Sequence, residues 1–445
     1  MERLLKEQQI YCNIDLQEFI LALETKYPSI EASMKYSSLV NFSDNVDVPF
    51  HKWFRYREGF AGRLIEELIK MSDVKKDEMI IDPFCGSGTT PVVAAMNGYS
   101  GFGVDVNPLS AFVSNVKMRE YSADKIKKAE QLLEGIPQEI KINKSMYSDV
   151  KKYFEENNFN SLCRIKNYID VIDDEIVKDL YLTAFICIVE ACSNRWRDGN
   201  GLKTVKTKIS DVNTVFAKKL LEIINDIKSS KAKIGGKGLC VADTANNLYD
   251  LYLNVSQNGE MKAGTIIFSP PYPNSFDYFE SYKLELIFAD FAKNITDIGR
   301  LRQQAVRSFI SVRQQKESDN YISMIAEEIE KAIPVKEAET GKKDIRTRKV
   351  PNMIKGYFCD MQEIIRQCGL CLGKGKKVYI VVDQSAYVGV IVPTDLLLAY
   401  LAEAVGFEVG KIIECRKART SAQQLKRYPY LKDTLRESIV ELIKK

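Results

Sequence analysis

Apolar positions along the chain switch between two periods. Leu64, Ile65, Leu68 and Ile69 share one face of a helix predicted over Ala61 to Met71. Met79-Ile80-Ile81 is a short continuous apolar run, as expected of a buried strand. It leads into Asp82-Pro83-Phe84-Cys85-Gly86-Ser87-Gly88-Thr89-Thr90 and a helix from about Pro91 to Asn97. Tyr99 to Val106 reads as a second strand, ending Val104-Asp105-Val106-Asn107-Pro108. Strand, glycine-rich turn, helix, strand and terminal acid are the opening of a doubly wound α/β sheet. From 112 to about 235 the rhythm breaks. Lys, Glu, Ile and Leu recur there at helical spacing, and strand signals are few. One apolar helix, Leu180 to Cys192, leads into Ser193 to Lys203, where Trp196, Gly199 and Gly201 suggest a contact loop. Strand patterns resume at Gly238 to Asp243 and at Thr265 to Phe268. Residues 280–350 are helical and basic, with Arg300, Arg302, Arg307 and Arg313 close together. Lys377 to Asp383, Phe407 to Cys415 and Glu437 to Leu442 read as late strands of the same sheet.

These patterns imply a Rossmann-like α/β core with helical insertions. Its parts are 46–111, 236–290 and 351–445. Residues 1–45 form a helical segment before it, and 112–235 a helical insertion. Residues 291–350 form a basic helical segment, a candidate for target recognition.

Composition narrows the chemistry. With 45% hydrophobic and 28% charged residues, the 445-residue chain suits an ordinary folded core. A net charge of +4 permits a nucleic-acid partner without requiring one. The ten cysteines are scattered, mostly in apolar runs, and read as buried thiols. Cys368 and Cys371 form a CxxC, but no second pair or histidine pair completes a zinc site, so no metal is expected. The single histidine, His51, excludes plans that need several, and no GxSxG turn accompanies it. No leader-like start or run of roughly 18 apolar residues is present, which predicts a cytoplasmic protein with no membrane partner.

Two motifs carry chemistry. In the first, Gly86 and Gly88 permit positive φ and close approach of backbone to a ligand. Asp82 ends the strand at the edge where such sheets bind cofactors. The turn is not a P-loop, since no Gly-Lys-Ser/Thr follows, and Thr90-Pro91 stands where a dinucleotide fingerprint needs its third glycine. Asp105, ending the next strand, has two readings: an acceptor for the ribose hydroxyls of an adenosine moiety, or a helix N-cap. Asp243 likewise reads as an acceptor for an adenine amino group or as a turn aspartate. In the second motif, Ser269-Pro270-Pro271-Tyr272 follows a strand. A base amino group is a poor nucleophile because its lone pair is delocalised into the ring. Acceptors against its hydrogens, here the Ser269 hydroxyl and the Pro270 carbonyl, favour the tetrahedral, reactive form. Consecutive prolines aim that carbonyl, and Tyr272 offers a face for an extruded base.

Together these residues resemble the S-adenosylmethionine-dependent amino-methyltransferases of DNA, the N4-cytosine and N6-adenine family. Asp82 to Gly88 is similar to that family's cofactor motif, and Ser269 to Tyr272 to its catalytic motif. His51 to Phe60 is similar to the segment that closes over methionine. The resemblance covers roughly 51–110, 238–290 and 375–445. It implies S-adenosylmethionine as cofactor, held by Phe60, Asp82, Phe84, Gly86, Gly88, Asp105 and Asp243. It implies DNA as partner, with a cognate restriction endonuclease as a further one. Serine at the first catalytic position implies N4 of cytosine, with N6 of adenine or a tRNA guanine as alternatives. The long insertion between Asp105 and Asp243 departs from a minimal member and leaves Asp243 open.

Overall fold

The computed structural model describes residues 11–56, 59–136, 147–198, 201–207, 209, 211–229, 234–274, 276–310, 317–418 and 420–445. Among them run strands β1 (Ser29–Glu31), β2 (Met79–Asp82), β3 (Ser100–Asp105), β4 (Arg195–Asp198), β5 (Gly201–Thr204) and β6 (Gly238–Ala242). They continue with β7 (Ala263–Phe268), β8 (Leu372–Asp383), β9 (Ser385–Tyr387), β10 (Val390–Val392), β11 (Phe407–Lys417) and β12 (Arg436–Lys444). Eight of these form one sheet in the order β1-β11-β12-β8-β7-β2-β3-β6. Strands β6, β3, β2, β7 and β8 pair in parallel, and β12 runs antiparallel to both β8 and β11. This is the mostly parallel α/β sheet that the sequence pattern implies.

The middle strands are buried at every position, as expected where helices cover both faces. Side chains alternate between the two. Ile80 and Ile267 pack with Leu64, Leu68 and Val93 of the helices Gly62–Met71 and Thr89–Met96. Ile81, Ile266 and Phe268 point the other way, into a core with Tyr357, Phe358 and Leu397.

Three expectations need correction. Residues 1–45 are not only helical: after the helix Ile14–Lys26, β1 joins the sheet edge in parallel with β11. Residues from 112 do not yet belong to an insertion. The helix Pro108–Met118 lies against the sheet, where Asn115 donates to Cys240 O (2.8 Å) and accepts from its N–H (2.7 Å). Nor is the insertion purely helical, since β4 and β5 form an antiparallel ribbon. Its helices, among them Glu156–Asp170, Glu175–Val189 and Val212–Lys228, share a core of Leu162, Tyr181, Phe185 and Phe216. Trp53 donates from Nε1 to Asp226 of that body (2.8 Å), and Lys52 pairs with the same carboxylate (2.9 Å). The insertion thereby anchors the aromatic segment preceding the first core helix. Among the described residues no helix is long and apolar enough to cross a membrane.

At the far end of the sheet, buried Asp395 accepts from Gln384 Nε2 (2.7 Å), Arg436 Nε (2.7 Å) and Ser438 Oγ (3.0 Å). Burial opposes its ionisation, but Arg436 and these donors hold the carboxyl below its usual range. Asp395→Ala removes the nearer of the two carboxylates that pair with buried Arg436, leaving Glu24 at 3.2 Å as the other. A loss of roughly 3–5 kcal/mol is expected, read from the shift of the urea midpoint.

Candidate functional site

From β2 the chain moves outward to β3 and β6, then crosses back to β7 on the other flank of β2. The crevice outside the carboxyl ends of β2 and β7 is therefore the switch point at which open α/β sheets bind ligands. A cleft of ≈ 930 Å³, open to solvent, lies there. The glycine-rich turn supplies Asp82, Phe84 and Gly86 to its wall, β3 supplies Asp105, and the segment after β7 supplies Ser269 and Pro271. Tyr56 and Phe60 close one side; Thr244, Ala245, Phe276, Tyr278, Val306, Ser308 and Phe309 complete it.

Hydrogen bonds from two strand ends shape the turn. Asp82 Oδ1 accepts the Phe84 N–H (2.9 Å). Asp105 Oδ2 accepts the Gly86 N–H (2.9 Å) and its Oδ1 the Asn107 N–H (2.8 Å). The cap of the following helix is Asn107, which accepts from Leu109 N, so Asp105 is not the N-cap. Beneath the turn, Ser114 Oγ donates to Gly86 O (3.2 Å) and buried Lys117 Nζ to Ser87 O (2.8 Å). Burial pulls the Lys117 ammonium down to about 7. Both glycines are required. Gly86 has φ +51°, and a Cβ there would lie 2.7 Å from the Tyr56 ring; Gly88 has φ +86°, and its Cβ would lie 2.6 Å from Ser114 Oγ.

Tyr56 is itself sandwiched. Its ring stacks on Tyr282 (5.3 Å, 4°) and on Tyr278 (5.6 Å, 14°). Asn45 sets the neighbouring backbone, donating to Phe60 O (2.8 Å) and accepting from Gly62 N (2.9 Å). His51 is buried outside the cleft wall. Burial, reinforced by the charge of Lys117, pushes its imidazole down to about 3, so it is neutral.

Ser269 borders a second, broader groove of ≈ 1630 Å³, with Arg55, Tyr272, Asn274, Asp383, Arg416 and Glu437 on its wall. Tyr56 and Phe60 also separate the two spaces. Ser269 Oγ donates to the Tyr272 hydroxyl (3.0 Å). Tyr387 holds the loop from below by donating to Pro273 O (2.7 Å).

The structure thus gathers Phe60, Asp82, Phe84, Gly86, Asp105, Ser269 and Pro271 around one cleft, and Tyr272 around the adjoining groove. Gly88 and Pro270 are not themselves wall residues, though each is flanked by them, Gly88 by Ser87 and Thr89 and Pro270 by Ser269 and Pro271. Asp243 is not at the wall: its carboxylate accepts from Thr244 N (2.7 Å) and Asn247 Nδ2 (2.9 Å), a local turn, while its neighbours Thr244 and Ala245 border the cleft. The basic segment also differs from expectation. Arg307 is buried against Asp360 (2.6 Å), Arg300 pairs with Asp297 (2.8 Å) and Arg302 with Asp277 (2.9 Å). Its residues 304–309 instead cover the cleft. Arg57, Glu58, Gly199, Asn200 and Arg313 lie outside the described residues. Sequence reading missed Thr244, Phe276, Tyr278 and Ser308. None sits in a motif; Thr244 follows β6, and Phe276 and Tyr278 follow the Ser269–Tyr272 turn, whereas Ser308 follows a helix and carries no local signal.

Burial pushes the Asp82 carboxyl up to about 7, against donors Thr90 and Phe84 and with help from Asp105. It pushes Asp105 up to about 6, against the N–H groups of Asn107 and Gly86. Folded-state values above the unfolded ones mean stability that is complete at low pH and lost as pH rises through about 6 to 7. Asp82→Asn is expected to flatten that decline between about pH 4 and 7, by on the order of 4 kcal/mol at most. Urea titrations of both proteins across this range check it; parallel curves would contradict the assignment.

A family model described as DNA methylase matches residues 29–111, which include the glycine-rich turn. The chain is 26% identical over 413 residues to the type II methyltransferase M.AvaI of Nostoc sp., covering 87% of this chain and 85% of that protein. It is 27% identical over 467 residues to the type II methyltransferase M.BsoBI of Geobacillus stearothermophilus, covering 94% and 91%. It is 29% identical over 156 residues to the type II methyltransferase M.MvaI of Kocuria varians, covering 32% and 34%. Motif, sheet and relatives agree in supporting one family, the DNA amino-methyltransferases, whose methyl donor is S-adenosylmethionine.

Proposed function

We propose that this enzyme methylates N4 of cytosine in duplex DNA, as the modification half of a type II restriction-modification pair. The observation that carries the reading is the position of Ser269, which borders both the cleft and the adjoining groove. The type II naming of relatives matched over most of their length supports the biological setting.

The cleft suits the donor chemically. Asp105 spends one lone pair of each oxygen on a backbone N–H and keeps others for ribose hydroxyls. Gly86 presents bare backbone, and Phe60 and Phe84 give apolar surface for the methionine and adenosine parts. Thr244 and Ala245, not Asp243, border the base end. Bound there, S-adenosylmethionine supplies an electrophilic methyl group.

The chain's own residues act on the acceptor. A cytosine extruded from the duplex, at a few kcal/mol of forfeited stacking, enters the groove against Tyr272. Ser269 keeps its proton and directs the O–H toward the Tyr272 hydroxyl, which leaves its oxygen lone pairs to accept one hydrogen of the base amino group. The Pro270 carbonyl takes the other. Both interactions draw the nitrogen lone pair out of conjugation and strengthen as positive charge develops on nitrogen. The surplus proton then leaves from the methylated amine along the same acceptors.

Methylated duplex digested to nucleosides and weighed by mass spectrometry should contain N4-methylcytosine. N6-methyladenine, or a product in tRNA only, would overturn the proposal. Ser269→Ala should lower turnover by about 10²–10³-fold while leaving cofactor affinity unchanged. Cofactor affinity should rise as pH increases through about 6, where Asp105 ionises. Asp105→Asn should weaken binding by about 1.5–3 kcal/mol, or about 10–100-fold, at pH 8 and abolish that pH dependence, as calorimetry would record.

A further inference from the structure

We infer that the β4–β5 ribbon and the cations gathered around Tyr153 form the surface that grips duplex DNA beside the cleft. The inference rests on the DNA reading of the enzyme and assigns that substrate a place on the insertion.

Cross-strand register sets which side chains share a face. Arg195 pairs with Thr204, Trp196 with Lys203 and Arg197 with Leu202. Successive residues alternate faces, so Arg195 and Arg197 lie on one side and Trp196 with Lys203 on the other.

The first side is anchored. Arg197 donates from Nε to Ser281 O (2.9 Å), ion-pairs with Glu190 and buried Glu285, and lies 4.3 Å from the Tyr282 ring centroid. Tyr282 stacks on Tyr56, which stacks on Tyr278 at the cleft wall. Removing a buried ion from water is expensive, so these partners hold the ribbon in one orientation relative to the reaction site. Arg195 crosses to the Tyr153 ring (4.9 Å) and donates to Thr204 Oγ1 (2.7 Å).

The second side is offered to solvent. Trp196 is 52% exposed, although an isolated core-facing role would bury an indole. Lys203, opposite it, is exposed too. At the base of the ribbon, Asn194 N–H donates to Tyr153 O (2.8 Å). Around the Tyr153 ring stand Lys283 (4.8 Å), Arg195 (4.9 Å) and Lys152 (5.2 Å), with exposed Lys151 next in sequence. Glu280 pairs with Lys283, and Glu155 and Glu156 begin the next helix.

This combination fits one partner. Clustered lysines match a phosphate backbone, and a two-stranded ribbon has the width of the major groove. An exposed indole at its centre provides an aromatic face for base edges or for a gap in the stack. The basic segment around Arg300 to Arg307, by contrast, has its described arginines tied to carboxylates.

The protein carries its own probe. It has two tryptophans, and Trp53 is 1% exposed with Nε1 bonded to Asp226, so collisional quenching by acrylamide reports on Trp196. Adding a DNA duplex to the intact protein should suppress that quenching. Replacing Lys151, Lys152 and Lys203 together by alanine should weaken duplex binding. It should also reduce the slope of log K against log[salt] by about 0.9 for each phosphate no longer neutralised. Cofactor affinity should stay at the wild-type level, and replacing the same three lysines by arginine should preserve duplex binding. If anisotropy shows duplex binding while Trp196 stays fully quenchable and the slope is unchanged, the surface assignment falls. If no duplex binds at all, the DNA reading falls with it.

Discussion

Two backbone N–H groups bonded to one carboxylate organise this molecule. Asp105 ends β3, yet its oxygens take the N–H of Gly86, from the turn after β2, and of Asn107, from the start of the next helix. Adjacent parallel strands are thereby joined at the edge where the chain would otherwise leave orphaned donors. The turn can close this tightly only because Gly86 and Gly88 hold positive φ against Tyr56 and Ser114. Its carbonyls are caught from below by Ser114 and Lys117. A cleft results whose floor is backbone and carboxylate, chemistry suited to hydroxyls and amines and not to phosphate.

Burying carboxylates there is thermodynamically unfavourable, and the fold concentrates that cost at the wall of the cleft. Asp82 and Asp105 are both held above the usual carboxylate range by burial. Their environment is stabilised by packing that comes from elsewhere. The insertion reaches back through Asp226 to Trp53 and Lys52, and the stack of Tyr278, Tyr56 and Tyr282 spans from the cleft to Arg197. The insertion is thus mechanically part of the site's wall while contributing few residues to the cleft itself.

Much of this is legible in residue type and order alone. Strong periodic segments such as Gly62–Met71, and apolar runs such as Met79–Asp82 and Ala263–Phe268, mark their elements because burial selected their residues. The turn of Asp82 to Gly88 is legible because left-handed backbone admits few residue types. The ribbon of β4 and β5 is not, since its Arg-Trp-Arg pattern follows buried ion pairs rather than apolar alternation. Strand β1 is hidden for a related reason: at three exposed edge residues, pairing with β11 and not side-chain burial makes the strand.

By itself the sequence determined the sheet's central strands, the glycine-rich turn, and the serine-led motif that follows β7. These are local commitments, written in residue type and spacing. Only the tertiary structure decided that Asp105 braces the turn instead of capping a helix, that Asp243 closes its own loop, and that Arg307 answers Asp360. For Asp105 and Arg307 the outcome depends on which distant donor or carboxylate folding brings within about 3 Å, the reach of a hydrogen bond; for Asp243 it depends on which way its own loop turns. No spacing along the chain encodes that distance.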